Sequence, residues 1–147
     1  MNHSVMRPSA RAILRGGEDC PSVRGEVLFY QRRRSVLVVV RASGLPETSA
    51  GFLGFHIHAG ARCAGEDFAQ TEGHFNPERE EHPQHAGDLP PLLVCDGRAF
   101  MEVMTDRFRV SDVIGKTAVI HGGADDFRSQ PSGKAGEKIA CGEIRRV

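Results

Sequence analysis

Between Gly73 and Asp88 the chain carries His74, His82, His85 and Asp88 at the spacing His-x7-His-x2-His-x2-Asp. Imidazole and carboxylate are ligands that a borderline cation such as zinc prefers, and four of them complete a tetrahedral site. Pro77, Pro83 and Gly87 interrupt any helical or strand period, so the stretch reads as a loop wrapped around an ion. The plainer reading is a solvated polar loop with incidental histidines. Histidine is too uncommon a residue for that reading to be preferred.

Two further histidines stand on a different kind of element. Phe-Leu-Gly-Phe-His-Ile-His at 52–58 reads as a strand, on which His56 and His58 point to one face and Ile57 to the other. Two nitrogen donors on one face of a rigid element are half of a metal site. Alone they could be a surface pair on an edge strand, but the histidine loop follows closely. A later strand, Thr117 to His121, ends in one more imidazole. The candidate ligands are then His56, His58, His74, His82, His85, Asp88 and His121. They exceed one site, and they fill two sites if one histidine is shared. A histidine-only site with an open position suits redox-active copper, whereas a site with a carboxylate suits zinc.

The elements that must hold these residues are short and extended. Ala10–Arg15 and Gly25–Gln31 read as strands, followed by an arginine turn at 32–34. Ser35–Ala42 contains five consecutive apolar residues, four of them valine, and fits a strand covered on both faces. Leu89–Val94 and Arg98–Thr105 flank Asp96-Gly97, a hairpin signal. Lys138–Ile144 is the last strand, after a charged, Gly/Pro-containing loop over 123–137. About eight strands with no convincing helix, and seventeen glycines and eight prolines between them, predict an all-β chain, a Greek-key sandwich or flattened barrel. Residues 1–9 read as a flexible N-terminal arm and 10–147 as one domain with its own core.

Lys plus Arg and Asp plus Glu are both 19, a formal net charge of zero, which speaks against nucleic acid or an anionic membrane as partner. No apolar run approaches a membrane span. No signal peptide is visible, which favours the cytoplasm, or a periplasmic or extracellular place if a leader was removed. Cys20, Cys63, Cys95 and Cys141 form no Cys-x-x-Cys pair, so thiolate zinc sites and thioredoxin-like chemistry are disfavoured. Four widely spread cysteines suit one or two disulfides, in tension with a reducing compartment.

Gly-Phe-His-Ile-His at 54–58, Gly-His-Phe-Asn-Pro at 73–77, His-Ala-Gly-Asp-Leu at 85–89, Val-Ile-His at 119–121, Ala-Asp-Asp at 124–126 and Ala-Cys-Gly at 140–142 together resemble the copper,zinc superoxide dismutases, in the family's order. The resemblance implies an eight-stranded Greek-key barrel with long metal-binding and electrostatic loops. It implies copper on His56, His58, His74 and His121, and zinc on His74, His82, His85 and Asp88, one ion of each per chain. His74 would be shared as an imidazolate, and would take up and return the proton used in disproportionating superoxide to dioxygen and hydrogen peroxide. Asp125 matches an aspartate that links a copper-ligand histidine to a zinc-ligand histidine. Cys63 and Cys141 match the family's intrasubunit disulfide.

The departures from that pattern carry expectations of their own. Lys138 stands where the family has an anion-guiding arginine. It keeps the charge and loses the planar fork, so slower turnover is expected unless Arg128 compensates. Glu143 replaces an apolar residue at the dimer contact of the animal enzymes, so a monomer or a differently built dimer is expected. Cys20 and Cys95 have no counterpart. Both are expected in hairpin turns away from the metals, as a second disulfide or as two thiols. The rival readings are a non-catalytic relative, metallochaperone-like or a structural zinc module, and a zinc hydrolase with a bound water. The complete set of four copper histidines disfavours both.

Overall fold

The computed structural model describes residues 6–147. Its strands are β1 (Ala10–Gly16), β2 (Arg24–Gln31), β3 (Val36–Ser43), β4 (Phe52–His58), β5 (Asp88–Leu93), β6 (Ala99–Thr105), β7 (Thr117–His121) and β8 (Lys138–Arg146). They form one sheet in the order β5-β4-β7-β8-β1-β2-β3-β6, with neighbouring strands antiparallel. Edge strands β5 and β6 approach each other, so the sheet curls into a nearly closed barrel. The expected all-β, eight-stranded fold is what the chain adopts. Two short helical pieces were not legible as periodic patterns. One is a kinked 3-10 segment, Glu66–Thr71, and the other a single turn, α1 (Val110–Val113). Neither is long enough to carry a readable amphipathic repeat.

Alternation along the strands builds the barrel interior. In β1, Ala10, Ala12 and Leu14 are buried while Arg11, Ile13 and Arg15 face out. In β4, Leu53, Phe55 and Ile57 fill the core beside Ala118 and Ile120 of β7. Strand β3 is buried on both faces from Val36 to Val40, as its unbroken apolar run predicts. Val36, Val38 and Val40 join the main core, and Leu37 and Val39 join Tyr30 in a separate outer cluster. On the outer face of β4 and β7 the alternation places His56, His58 and His121, all buried although outside the barrel interior. The cover comes from the two long loops, 59–87 and 122–137.

Of the expected arm, residues 1–5 fall outside the described part, and His3 with them. Ser9 is tied in: its N–H donates to Phe29 O, and its carbonyl accepts from Val147 N. Among the described residues, no helix is long and apolar enough to cross a membrane.

Cys63 and Cys141 form a disulfide across 78 residues, joining the loop after β4 to the middle of β8. Cys20 and Cys95 are thiols, not a second disulfide. Cys95 sits at the exposed β5–β6 turn. The Cys20 turn is not remote from the histidine loops, contrary to the expectation from sequence. Antiparallel pairing sets Gly16 of β1 opposite Ala140 of β8, so the β1–β2 turn abuts the start of β8. There Gly17 N–H donates to Ile139 O, and a Cβ on Gly17 would meet the ring of Phe68. Replacing Cys63 and Cys141 by serine is expected to lower unfolding free energy by about 4 kcal/mol on the chain-entropy account. Urea denaturation of the double variant checks this. A loss below about 1 kcal/mol would show that the loop's own hydrogen bonds hold it.

Candidate metal centre

The backbone brings the histidines together in three steps. On β4 the two-residue period sets His56 and His58 side by side, and β7 sets His121 within reach of both. The chain then returns past the end of β4: Ala59 N–H donates to Gly73 O and Phe75 N–H to Ile57 O, so His74 lies against His58. Finally Ile57 N–H donates to Gly87 O and Gly87 N–H to Phe75 O, drawing in the segment of His85 and Asp88. A Cβ at Gly87 would lie 2.3 Å from Ile57 O, so only glycine allows this approach.

Hydrogen bonds at one nitrogen of each ring decide which other nitrogen is left as a lone pair. His58 Nδ1–H donates to Glu72 O at 2.7 Å, and His121 Nδ1–H to Gly136 O at 3.1 Å. Their Nε2 atoms then face each other at 3.1 Å, lone pair to lone pair. Asp125 accepts from His56 Nε2 on one carboxylate oxygen and from His82 Nε2 on the other, each at 2.8 Å. This leaves the Nδ1 atoms of both rings as acceptors with no hydrogen-bond donor, and His74 Nε2 is buried without a partner too. His74 Nδ1 lies 2.8 Å from Asp88 Oδ1 and 3.1 Å from His85 Nδ1. Asp88 Oδ2 lies 3.1 Å from His82 Nδ1 and 3.3 Å from His85 Nδ1.

Two nests of ligand atoms result. One joins His56, His58, His74 and His121, and the other His56, His74, His82 and Asp88, each set within 4.8 Å of one another. His85 borders the second nest through its contacts to His74 at 3.1 Å and Asp88 at 3.3 Å. Buried imidazole nitrogens with converging lone pairs repel one another unless a proton or a cation lies between them. Protons are the poorer choice: burial pushes the pKa of His121 down to about 3, and lowers those of His56, His58 and His85 as well. Asp88 and Asp125 are held below the usual carboxylate range by the histidines that they touch, against the opposing effect of burial. Neutral imidazoles and ionised carboxylates in closed nests are a donor set made for divalent metal.

The loop 122–137 owes its shape to contacts that its sequence did not advertise. Gln130 clasps His82 through both amide atoms, accepting from His82 N–H and donating to His82 O, each at 2.9 Å. Gly54 N–H donates to Gly123 O, and a Cβ there would lie 2.7 Å from that of Ala135. Gly133, at φ 70°, passes so close that a Cβ would fall 2.0 Å from Asp125 Oδ1 and 2.6 Å from His82 Nε2. Arg107 donates to Pro83 O at 2.7 Å and braces the histidine loop from β6's end. Arg128, the expected stand-in for the arginine, is exposed, and its backbone N–H serves the Asp126 carboxylate. Lys138 opens β8 with its ammonium on Thr71 Oγ1 at 2.7 Å and Glu72 O at 3.0 Å. Beside it lies a cleft lined by Glu18, Asp19, Glu66, Asp67 and Glu137. Glu143 faces out of the barrel, paired with Arg145 at 2.7 Å.

The sequence profile of copper/zinc superoxide dismutase matches residues 23–144. Among curated proteins the chain is 35% identical over 136 residues to superoxide dismutase [Cu-Zn] 1 of Aquifex aeolicus, covering 82% of this chain and 79% of that one. A second Aquifex aeolicus superoxide dismutase [Cu-Zn] is also 35% identical, over 84% of this chain and 80% of its own. The superoxide dismutase [Cu-Zn] of Legionella pneumophila is 35% identical over 85% and 80%.

Two outcomes follow from the geometry. Gly133→Ala is expected to force Asp125 from His82 and weaken metal binding in the nest of His82 about 10-fold to 100-fold, read by competition with a chromophoric chelator. Unchanged affinity would show that this approach is not needed. The metal-free protein is expected to lose stability as pH falls from about 6.5 towards 4. In that window the unfolded chain takes up protons on His58 and His121 that the folded chain, with its depressed pKa values, does not. Thermal denaturation across that range checks this, and a flat profile would contradict it.

Proposed function

The chain belongs to the copper/zinc superoxide dismutase family, and from that membership we propose that His56, His58, His74 and His121 hold copper and that His74, His82, His85 and Asp88 hold zinc. The reaction is the disproportionation of superoxide: two superoxide ions and two protons give dioxygen and hydrogen peroxide. The observation that carries the ligand assignment is the lone-pair geometry of His58 Nε2 and His121 Nε2, 3.1 Å apart with their opposite nitrogens committed to backbone carbonyls.

Copper bound by the four histidines would carry to the next superoxide the electron that the first gives up. The chain's residues supply position and protons. Asp125 orients His56 and His82 at once, so the two nests are mechanically joined outside the shared ring. His74 is that ring: its Nδ1 faces Asp88, and its Nε2, buried and unpartnered, is the atom at which a proton is held and then released to the departing peroxide. Lys138 provides the positive charge that draws the anion in. Without arginine's planar fork it does so with less direction, and turnover is slower than in relatives bearing arginine. The non-catalytic alternative is not favoured, because every imidazole of the four-histidine nest is present and correctly turned.

The charged, paired Glu143 on the outer wall of β8 supports a monomer, or a dimer built on another face. A persistent Cys63–Cys141 bridge suits a periplasmic or extracellular setting at least as well as the cytoplasm. Metal analysis after copper and zinc loading tests the assignment. About one ion of each per chain is expected, with superoxide-dependent activity reduced by at least about 100-fold in His121→Ala. Zinc alone after copper loading would overturn it.

A further inference from the structure

The ammonium of Lys138 is not a free surface charge. It donates to Thr71 Oγ1 at 2.7 Å and Glu72 O at 3.0 Å, with a longer contact to Phe68 O at 3.5 Å. Thr71 is wholly buried. Its hydroxyl proton is committed to Phe68 O at 2.8 Å, so the oxygen turns lone pairs towards the ammonium. Its carbonyl is fixed by Gly60 N–H at 2.7 Å. Left-handed residues at Asp67, Phe68 and Glu72 coil this segment tightly, bringing the Phe68 and Glu72 carbonyls to one side-chain nitrogen. Three acceptors around one nitrogen suit the three N–H bonds of an ammonium and not the flat fork of a guanidinium. The Glu72 carbonyl also accepts from His58 Nδ1–H at 2.7 Å. One backbone oxygen therefore joins the ammonium to an imidazole of the four-histidine nest.

We propose that Thr71 is a positioning residue that seats Lys138, fixing where the enzyme's anion-attracting charge stands relative to the four-histidine nest. The inference rests on the reading of that nest as the copper site. The seat also explains how lysine serves here. Two of its donors are spent on Thr71 and the Glu72 carbonyl, so an incoming anion meets Lys138 as a placed charge more than as a hydrogen-bond partner. With the hydroxyl removed, a partly desolvated ammonium loses its shortest acceptor and moves towards solvent, away from the nest.

The test uses Thr71→Val, which keeps shape and removes the hydroxyl, Thr71→Ser, which keeps the hydroxyl, Lys138→Met, and the Val/Met double variant. Azide, a small monoanion, is titrated into the copper- and zinc-loaded proteins and followed by visible spectroscopy. Thr71→Val is expected to weaken azide binding about fivefold, Thr71→Ser to stay within about twofold of wild type, and the double variant to match Lys138→Met alone. In the reduced protein, the Lys138 ammonium should give a 15N–1H NMR signal protected from exchange, retained in Thr71→Ser and lost in Thr71→Val. Were the wild-type protein to take up no copper, the metal reading would fall while the NMR arm still reported on the seat. Unchanged azide affinity in Thr71→Val, an additive double variant, or a protected signal that survives the loss of the hydroxyl would each overturn the proposal.

Discussion

Two neutral imidazoles whose lone pairs face each other across 3.1 Å do not attract, and the rest of the centre depends on that arrangement being held open. The cost is met locally. Each ring spends its remaining N–H on a fixed acceptor, Glu72 O for His58 and Gly136 O for His121, while Asp125 performs the same service for His56 and His82. Apolar packing places the strands. It is the outer ring of backbone carbonyls and one carboxylate that turns the side chains, because packing alone does not distinguish the two nitrogens of an imidazole.

This division of labour explains where the centre sits. The barrel interior is filled by Phe55, Ile57, Leu53 and Ile120, so His56, His58 and His121 on the same strands must point the other way, towards what would otherwise be solvent. Two loops supply a second interior for them. Those loops carry little apolar surface and are secured by a disulfide, by backbone ladders to β4, and by glycines at points where a side chain would block the approach. The loops are fastened to the barrel at many separate points.

Much of this was readable in the sequence, and for identifiable reasons. The His56-Ile57-His58 alternation announces its geometry through the two-residue period of a strand, and the valine run of β3 announces double burial. The histidine loop is conspicuous because histidine is rare. Gln130 and Gly133 left no such trace: irregular chain has no period, and an amide that clasps a backbone across 48 residues has no local pattern. Thr71 was hidden for a related reason, in a 3-10 segment too short to show an amphipathic repeat. The placement of the Cys20 turn went astray because it depends on β1 pairing with β8, a contact between the two ends of the chain that no local signal encodes.

The cleft beside Lys138 gives the net charge of zero a different meaning. Glu18, Asp19, Glu66, Asp67 and Glu137 line it, while Arg11, Arg15, Arg24 and Arg41 project from the outer wall of β1, β2 and β3, Arg11 paired there with Glu26. A neutral total thus conceals a separation of charge. An anion far from the molecule feels almost no pull, since the two lobes cancel at distance and salt screens the remainder within about 8 Å. Near the surface the field is uneven, because the five carboxylates of the cleft stand beside the Lys138 ammonium. For a chain of zero net charge, such local unevenness, and not an overall attraction, is what a small anion meets on approach to Lys138.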